Sequence, residues 1–112
     1  MAIYNNSFDS YQLFINTEPF AYKAEVNLFS AGMFTGRIVF HADGNTTITN
    51  QEFQPGGTTY KVPMLAFPLS RMGEIMNFLR YEKPLFISLD TVSNRAYLAT
   101  REREVVGEQE GN

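Results

Sequence analysis

The sequence predicts an α+β fold: a curved antiparallel β-sheet or partial barrel with a single amphipathic helix over about 68–81, followed by a C-terminal β-hairpin. Three observations predict it. Leu69, Met72, Ile75, Met76 and Leu79 recur at three- and four-residue intervals, while Arg71, Glu74, Asn77 and Arg80 fall mostly opposite, which is the period of a helix with one apolar face. The segments on either side alternate between apolar and polar residues with the period of a strand. Turn-forming residues separate those segments at Gly32, Asp43-Gly44, Pro55-Gly56-Gly57 and Ser93-Asn94. Burying the helix stripe contributes at most roughly 7–15 kcal/mol before entropy is counted. Only a sheet face is broad enough here to receive it.

Taken in order, residues 10–16 form a first expected strand with Tyr11, Leu13 and Ile15 on one face. Residues 21–29 alternate more cleanly, with Ala24, Val26 and Leu28 dry and Lys23, Glu25 and Asn27 wet, as in an antiparallel strand with one solvated side. Ser30-Ala31-Gly32 is a hairpin loop. In the strand over 33–42, Phe34, Gly36, Ile38 and Phe40 share a face opposite Thr35, Arg37, Val39 and His41. Asp43-Gly44 is a strong local hairpin signal, so a polar return strand is expected from Asn45 to about Gln51.

After Pro55-Gly56-Gly57, a strand over 58–67 places Tyr60, Val62, Met64 and Ala66 on one face. Pro63 donates no ladder bond, which calls for a free side or a bulge at that point. Pro68 suits the first helical turn. Gly73, costing about 1 kcal/mol against Ala in a helix, reads as room for close approach of a neighbour. Pro84 stops the helix. Residues 85–90 and 95–101 make the last hairpin, with Leu85, Ile87 and Leu89 on one face of its first strand, and Ala96, Leu98 and Thr100 opposing Tyr97, Ala99 and Arg101 in its second.

The chain of 112 residues fits one domain, expected over 1–103, with a disordered acidic tail over 104–112. It has no Cys, which excludes disulfides, thiolate catalysis and Cys-based metal sites. The N-terminal residues lack a basic region and an apolar core, no apolar run has the length of a membrane span, and the expected location is cytoplasmic. The net charge of −3 disfavours nucleic acid and anionic lipid, although Glu104, Glu108 and Glu110 carry part of it in the tail.

No constellation specifies a chemistry, so no catalytic, cofactor-binding or metal-binding residue is assigned. His41 is the only histidine, and with Asp43 it makes a His-x-Asp pair. A solvent-facing strand His beside a turn Asp accounts for it better than a metal site. Ser7, Ser10, Ser30, Ser70, Ser88 and Ser93 lack the Gly-x-Ser-x-Gly elbow of an exposed nucleophile. Asp90 with Glu74 or Glu82 is the carboxylate pair an enzyme reading would use. Pro55-Gly56-Gly57-Thr58-Thr59 has the composition of a phosphate nest but is followed by a strand, so a surface turn is expected.

Arg95, Arg101 and Arg103 around Tyr97 resemble an aromatic–basic face. Their alternation with Glu102 and Glu104 fits a solubilised edge strand better. Phe14, Val39, Leu65 and Phe86 fall opposite the main apolar stripe, which points to a homodimer through sheet surface. The expectation is therefore a non-enzymatic interaction or small-ligand-binding module, with a small-molecule or protein partner. A carboxylate enzyme, or a nucleic-acid or assembly partner using the 85–101 hairpin, is the alternative.

Overall fold

The computed structural model describes residues 2–17, 21–82 and 85–100. The expectations for Pro84, for Arg101 to Glu104 and for the 104–112 tail lie outside the described residues. The chain runs β1 (Ile3–Phe8), β2 (Ser10–Ile15), β3 (Tyr22–Ser30), β4 (Met33–His41), β5 (Gln51–Phe53), β6 (Val62–Pro68), a 3₁₀ turn (Leu69–Arg71), α1 (Met72–Tyr81), β7 (Leu85–Asp90) and β8 (Ala96–Thr100). Two sheets result, a three-stranded one in the order β1-β7-β8 and a five-stranded one in the order β2-β3-β4-β6-β5. The α+β class, the curved but unclosed sheet, the single helix and the final hairpin all match the sequence.

Curvature starts at Asp9, the one residue between β1 and β2, where the chain passes from one sheet to the other. The Asp9 N–H donates to the Phe29 carbonyl at 2.8 Å, and its carboxylate accepts from the Ala31 N–H at 3.2 Å. Both bonds fix the corner to the tight β3–β4 turn, where Ala31 and Gly32 both take positive φ, as a two-residue hairpin requires. Strand β1 has no counterpart in the sequence expectations because Asn6 interrupts its inward row. The register pairs Tyr4, Asn6 and Phe8 with Leu89, Ile87 and Leu85. The Asn6 amide is satisfied there by the Thr35 carbonyl at 2.9 Å, so a polar residue occupies an inward position without penalty.

The core lies between the sheets. Ala24, Val26 and Leu28 of β3, Ile38 and Phe40 of β4, Leu65 of β6 and Leu85 and Ile87 of β7 meet Ile75, Met76 and Leu79 of the helix. Those three helix side chains contribute up to roughly 4–9 kcal/mol of burial. Gly36 marks the closest approach of the sheets, since a Cβ there would sit 2.9 Å from Ile87 Cγ2.

Several expectations are corrected. Asp43-Gly44 makes a turn, closed by the Asn45 N–H to the Ala42 carbonyl at 3.1 Å, but no hairpin follows it. The Asn45 side chain accepts from the Thr47 and Ile48 N–H groups at 2.8 and 3.2 Å, and these local bonds replace a ladder. The chain instead crosses to β5, which pairs with β6, and β6 lies parallel to β4. One parallel pair thus sits in an otherwise antiparallel arrangement.

Phe34 leaves the face of Gly36, Ile38 and Phe40. The register shifts between Leu28↔Gly36 and Phe29↔Phe34, and the extra residue, Thr35, reverses the alternation. In β6 the core-facing residues are Leu65 and Phe67, yet Val62 and Met64 are buried as well. A strand covered on both faces gives no alternation to read. Leu65 and Val39 are therefore buried, not exposed, while Phe86 packs edge-on against Tyr97 and Phe14 stays exposed.

Pro63 precedes the first β4 partner, Met64, so its missing N–H does fall on a free side. Helical geometry starts later than the apolar spacing, and Leu69 in the 3₁₀ turn is exposed. Gly73 is approached by nothing within 4 Å, so it serves no close contact.

Candidate functional site

The helix packs on the core formed by both sheets, and a groove of about 310 Å³ lies between it and β8. Its apolar lining comes from Phe67 at the end of β6, Ile75 and Phe78 on α1, and Ala96 and Leu98 on β8. Pro68 explains why the elements meet here: its extended backbone ends β6 and turns the chain directly into the 3₁₀ turn and helix. The Asp43 carboxylate accepts from the Ser70 N–H at 3.0 Å, satisfying an otherwise unpaired donor at that start. The rim is polar. Arg71 Nε donates to Glu74 Oε1 at 2.8 Å, and Tyr97 stands on the opposite side. The hydrogen bond, and then the charge, of each partner raises Arg71 and lowers Glu74 from their ordinary values. Both side chains are exposed, so the pair neutralises the rim more than it stabilises the fold.

Strand β8 forms the edge of its sheet, with β7 on one side and no described strand on the other. The Asp90 N–H donates to the Arg95 carbonyl at 2.9 Å, which sets the hydrogen-bonding phase of the hairpin. By alternation, Tyr97 and Ala99 direct their main-chain groups to β7, while Ala96 and Leu98 direct theirs to the free edge. Ala96 and Leu98 also line the groove with their side chains. A free edge and an apolar slot thus share the same two residues.

The residues singled out in the sequence are distributed elsewhere. His41 ends β4, buried, with Nδ1 2.9 Å from the Ala42 carbonyl, whereas Asp43 turns away to the helix start. Asp90 accepts from the Val92 and Ser93 N–H groups, Glu74 holds Arg71, and Glu82 lines a different groove of about 380 Å³ with Phe8, Asp9, Tyr11 and Arg80. The carboxylates therefore serve three separate pieces of local structure. Ser88 is buried in β7, registered with Asn5 and Tyr97, and His41 belongs to the other sheet. In the Pro55–Thr58 turn, both the Thr58 N–H and hydroxyl donate to the Pro55 carbonyl, and Gly57 supplies the positive φ. Arg95 lies over Tyr97 at 5.5 Å, while Arg101 and Arg103 fall outside the described residues. Among the described residues, no three His, Asp or Glu side chains are grouped to hold a metal, and no helix is long and apolar enough to cross a membrane.

A second cluster, not anticipated from sequence, covers the outer face of the large sheet. Arg37 stacks 3.9 Å from the Phe53 ring centroid and donates through Nε to Asn27 Oδ1 at 2.9 Å, with Glu25 4.0 Å away. Burial lowers the guanidinium below its ordinary value, opposed by Glu25 and then Tyr22. Its planar face and its Nε are both occupied, as in a packed structural arginine. The groove lining was half-legible. Ile75 belongs to the helix stripe, but Phe67 and Phe78 were not assigned to it, although Phe78 follows Ile75 at a helical interval. No protein-family model matches the chain, and comparison with curated proteins and with solved structures returns no match.

Proposed function

We propose that the protein is a non-enzymatic binding module that takes an extended peptide segment as an added strand beside β8, with alternate side chains seated in the groove against α1. The observation carrying this reading is the coincidence of the free β8 edge with the apolar slot at Ala96 and Leu98. Main-chain hydrogen bonds to a sheet edge supply affinity for any extended segment, and a pocket beside the edge supplies selectivity. The slot volume of about 310 Å³ has room for a few apolar side-chain groups. Its rim is already neutralised by the Arg71–Glu74 pair, so uncharged residues are expected at the seated positions.

Selection from a displayed random hexapeptide library on the immobilised full chain tests the reading. The expected result is enrichment of sequences with apolar residues at alternate positions. Their binding should fall sharply on Ala96→Pro, which removes an outward donor without entering the β7 ladder, and on Phe78→Glu, which places a charge in the slot. Failure to enrich any peptide, or equal binding to both variants, would overturn the proposal.

A further inference from the structure

Among the described residues, strand β2 is an edge of the five-stranded sheet, at the opposite side from β5. Natural sheets blunt such edges with charges, proline, bulges or brevity. Strand β2 carries none of these. Its residues, Ser10 to Ile15, include no charge and no proline, and its ladder with β3 is regular over all six positions. Leu13, Phe14 and Ile15 are 38, 43 and 73 % exposed, three consecutive apolar side chains at an unpaired edge.

The phase of the free edge follows from the ladder. The Asn16 N–H donates to the Lys23 carbonyl at 3.0 Å, one step past the Ile15↔Ala24 pair. Alternation then turns Gln12 and Phe14 toward β3, and leaves the main-chain groups of Tyr11, Leu13 and Ile15 directed outward. An odd-numbered set centred on Leu13 is self-complementary under a two-fold axis. Leu13 pairs with Leu13 of a second copy, and Tyr11 with its Ile15, so every outward N–H meets an outward carbonyl.

The side chains agree with that register. Tyr11, Leu13 and Ile15 of both copies meet on one face, and each Phe14 meets a Gln12 on the other. Among the residues registered with β2 the charged one is Glu25, opposite Phe14 on β3, while Asp9, Arg80 and Glu82 line a groove with Tyr11 at the start of the strand. With strands about 4.8 Å apart, the two copies of Glu25 lie about 14 Å or more from each other. That exceeds a Debye length of about 8 Å at physiological salt.

We infer that two copies of this chain associate through antiparallel pairing of β2 with β2 about a two-fold axis at Leu13, joining their five-stranded sheets into one. This differs from the face-to-face contact that the sequence suggested, because Val39 and Leu65 are buried within the single chain. It leaves β8 and the groove free on each copy, so it stands or falls apart from the peptide-binding reading.

Light scattering on the full chain at about 100 µM, with amide hydrogen exchange on the same sample, tests it. The expected mass is that of two 12.8 kDa chains, with exchange at Leu13 and Ile15 at least about tenfold slower than in a dilute sample. Leu13→Lys, which brings two like charges face to face at the axis, should give the mass of one chain and restore fast exchange. Ile15→Lys, at the most exposed position of the strand, should do the same if Leu13→Lys disturbs folding. A single-chain mass for the native protein would overturn the inference. So would a dimer whose Leu13 and Ile15 amides exchange freely, or one that survives both substitutions.

Discussion

Gly36 and Gly73 show how differently one residue type is used. At Gly36, Ile87 leaves no space for a methyl group, whereas at Gly73 the helix surface is open. Gly36→Ala should therefore destabilise by about 1–3 kcal/mol through overpacking. Gly73→Ala should stabilise by up to about 1 kcal/mol through helix propensity. Urea denaturation with a common slope would show the two midpoints moving in opposite directions. Arg37→Lys should cost about 1–2 kcal/mol, since an ammonium neither lies flat on Phe53 nor reproduces the Nε bond to Asn27. Tyr4 provides a pH signature. Its hydroxyl joins the two sheets by donating to Glu52 Oε2 at 3.1 Å. Burial, and then that bond, raises it above its ordinary 10.0. A raised folded-state value contributes stability below pH 10 that is lost as pH rises through the folded value. Unfolding measured between about pH 9 and about pH 11 should show a steeper loss for the native chain than for Tyr4→Phe.

At the scale of elements, the helix is the part most directly written in the sequence, because a 3.6-residue period is a local property. Ile75→Asp, at the centre of its buried stripe, should destabilise by several kcal/mol, and Arg71→Ala on the solvated side should change stability little. Equal unfolding midpoints for the two would show that the face is wrong. The β3–β4 hairpin was legible for the same reason, through Ala31-Gly32. Features set by distant contacts were not. Asn6 hid β1 because its partner, the Thr35 carbonyl, is 29 residues away. The bulge at Thr35 sent Phe34 to the other face, and no alternation rule locates a bulge in advance. The β4–β6 parallel pairing depends on a crossover through 42–61, whose start resembled a hairpin because the same Asp43-Gly44 turn opens both arrangements. Asp43 itself has a role visible only in three dimensions, holding the Ser70 N–H.

For the molecule as a whole, the two sheets share a corner at Asp9 and do not close among the described residues, so β2 and β8 are two of the four edge strands, and α1 packs on the core between the sheets. The groove beside α1 exists because of that incomplete closure. No short stretch of sequence could announce it, since Phe67, Phe78 and Leu98 come from three elements and become neighbours only when the helix docks. The two edges differ in kind. Strand β8 borders an apolar slot, which we propose selects side chains, and β2 presents an uncharged row, which we infer pairs with itself. The most direct test of the account is amide hydrogen exchange on the full chain with and without a library-selected hexapeptide. Slowed exchange at Ala96 and Leu98, with Tyr97 and Ala99 unchanged within their β7 ladder, is the result strand addition predicts. Binding that leaves Ala96 and Leu98 exchanging at their free rates would contradict it.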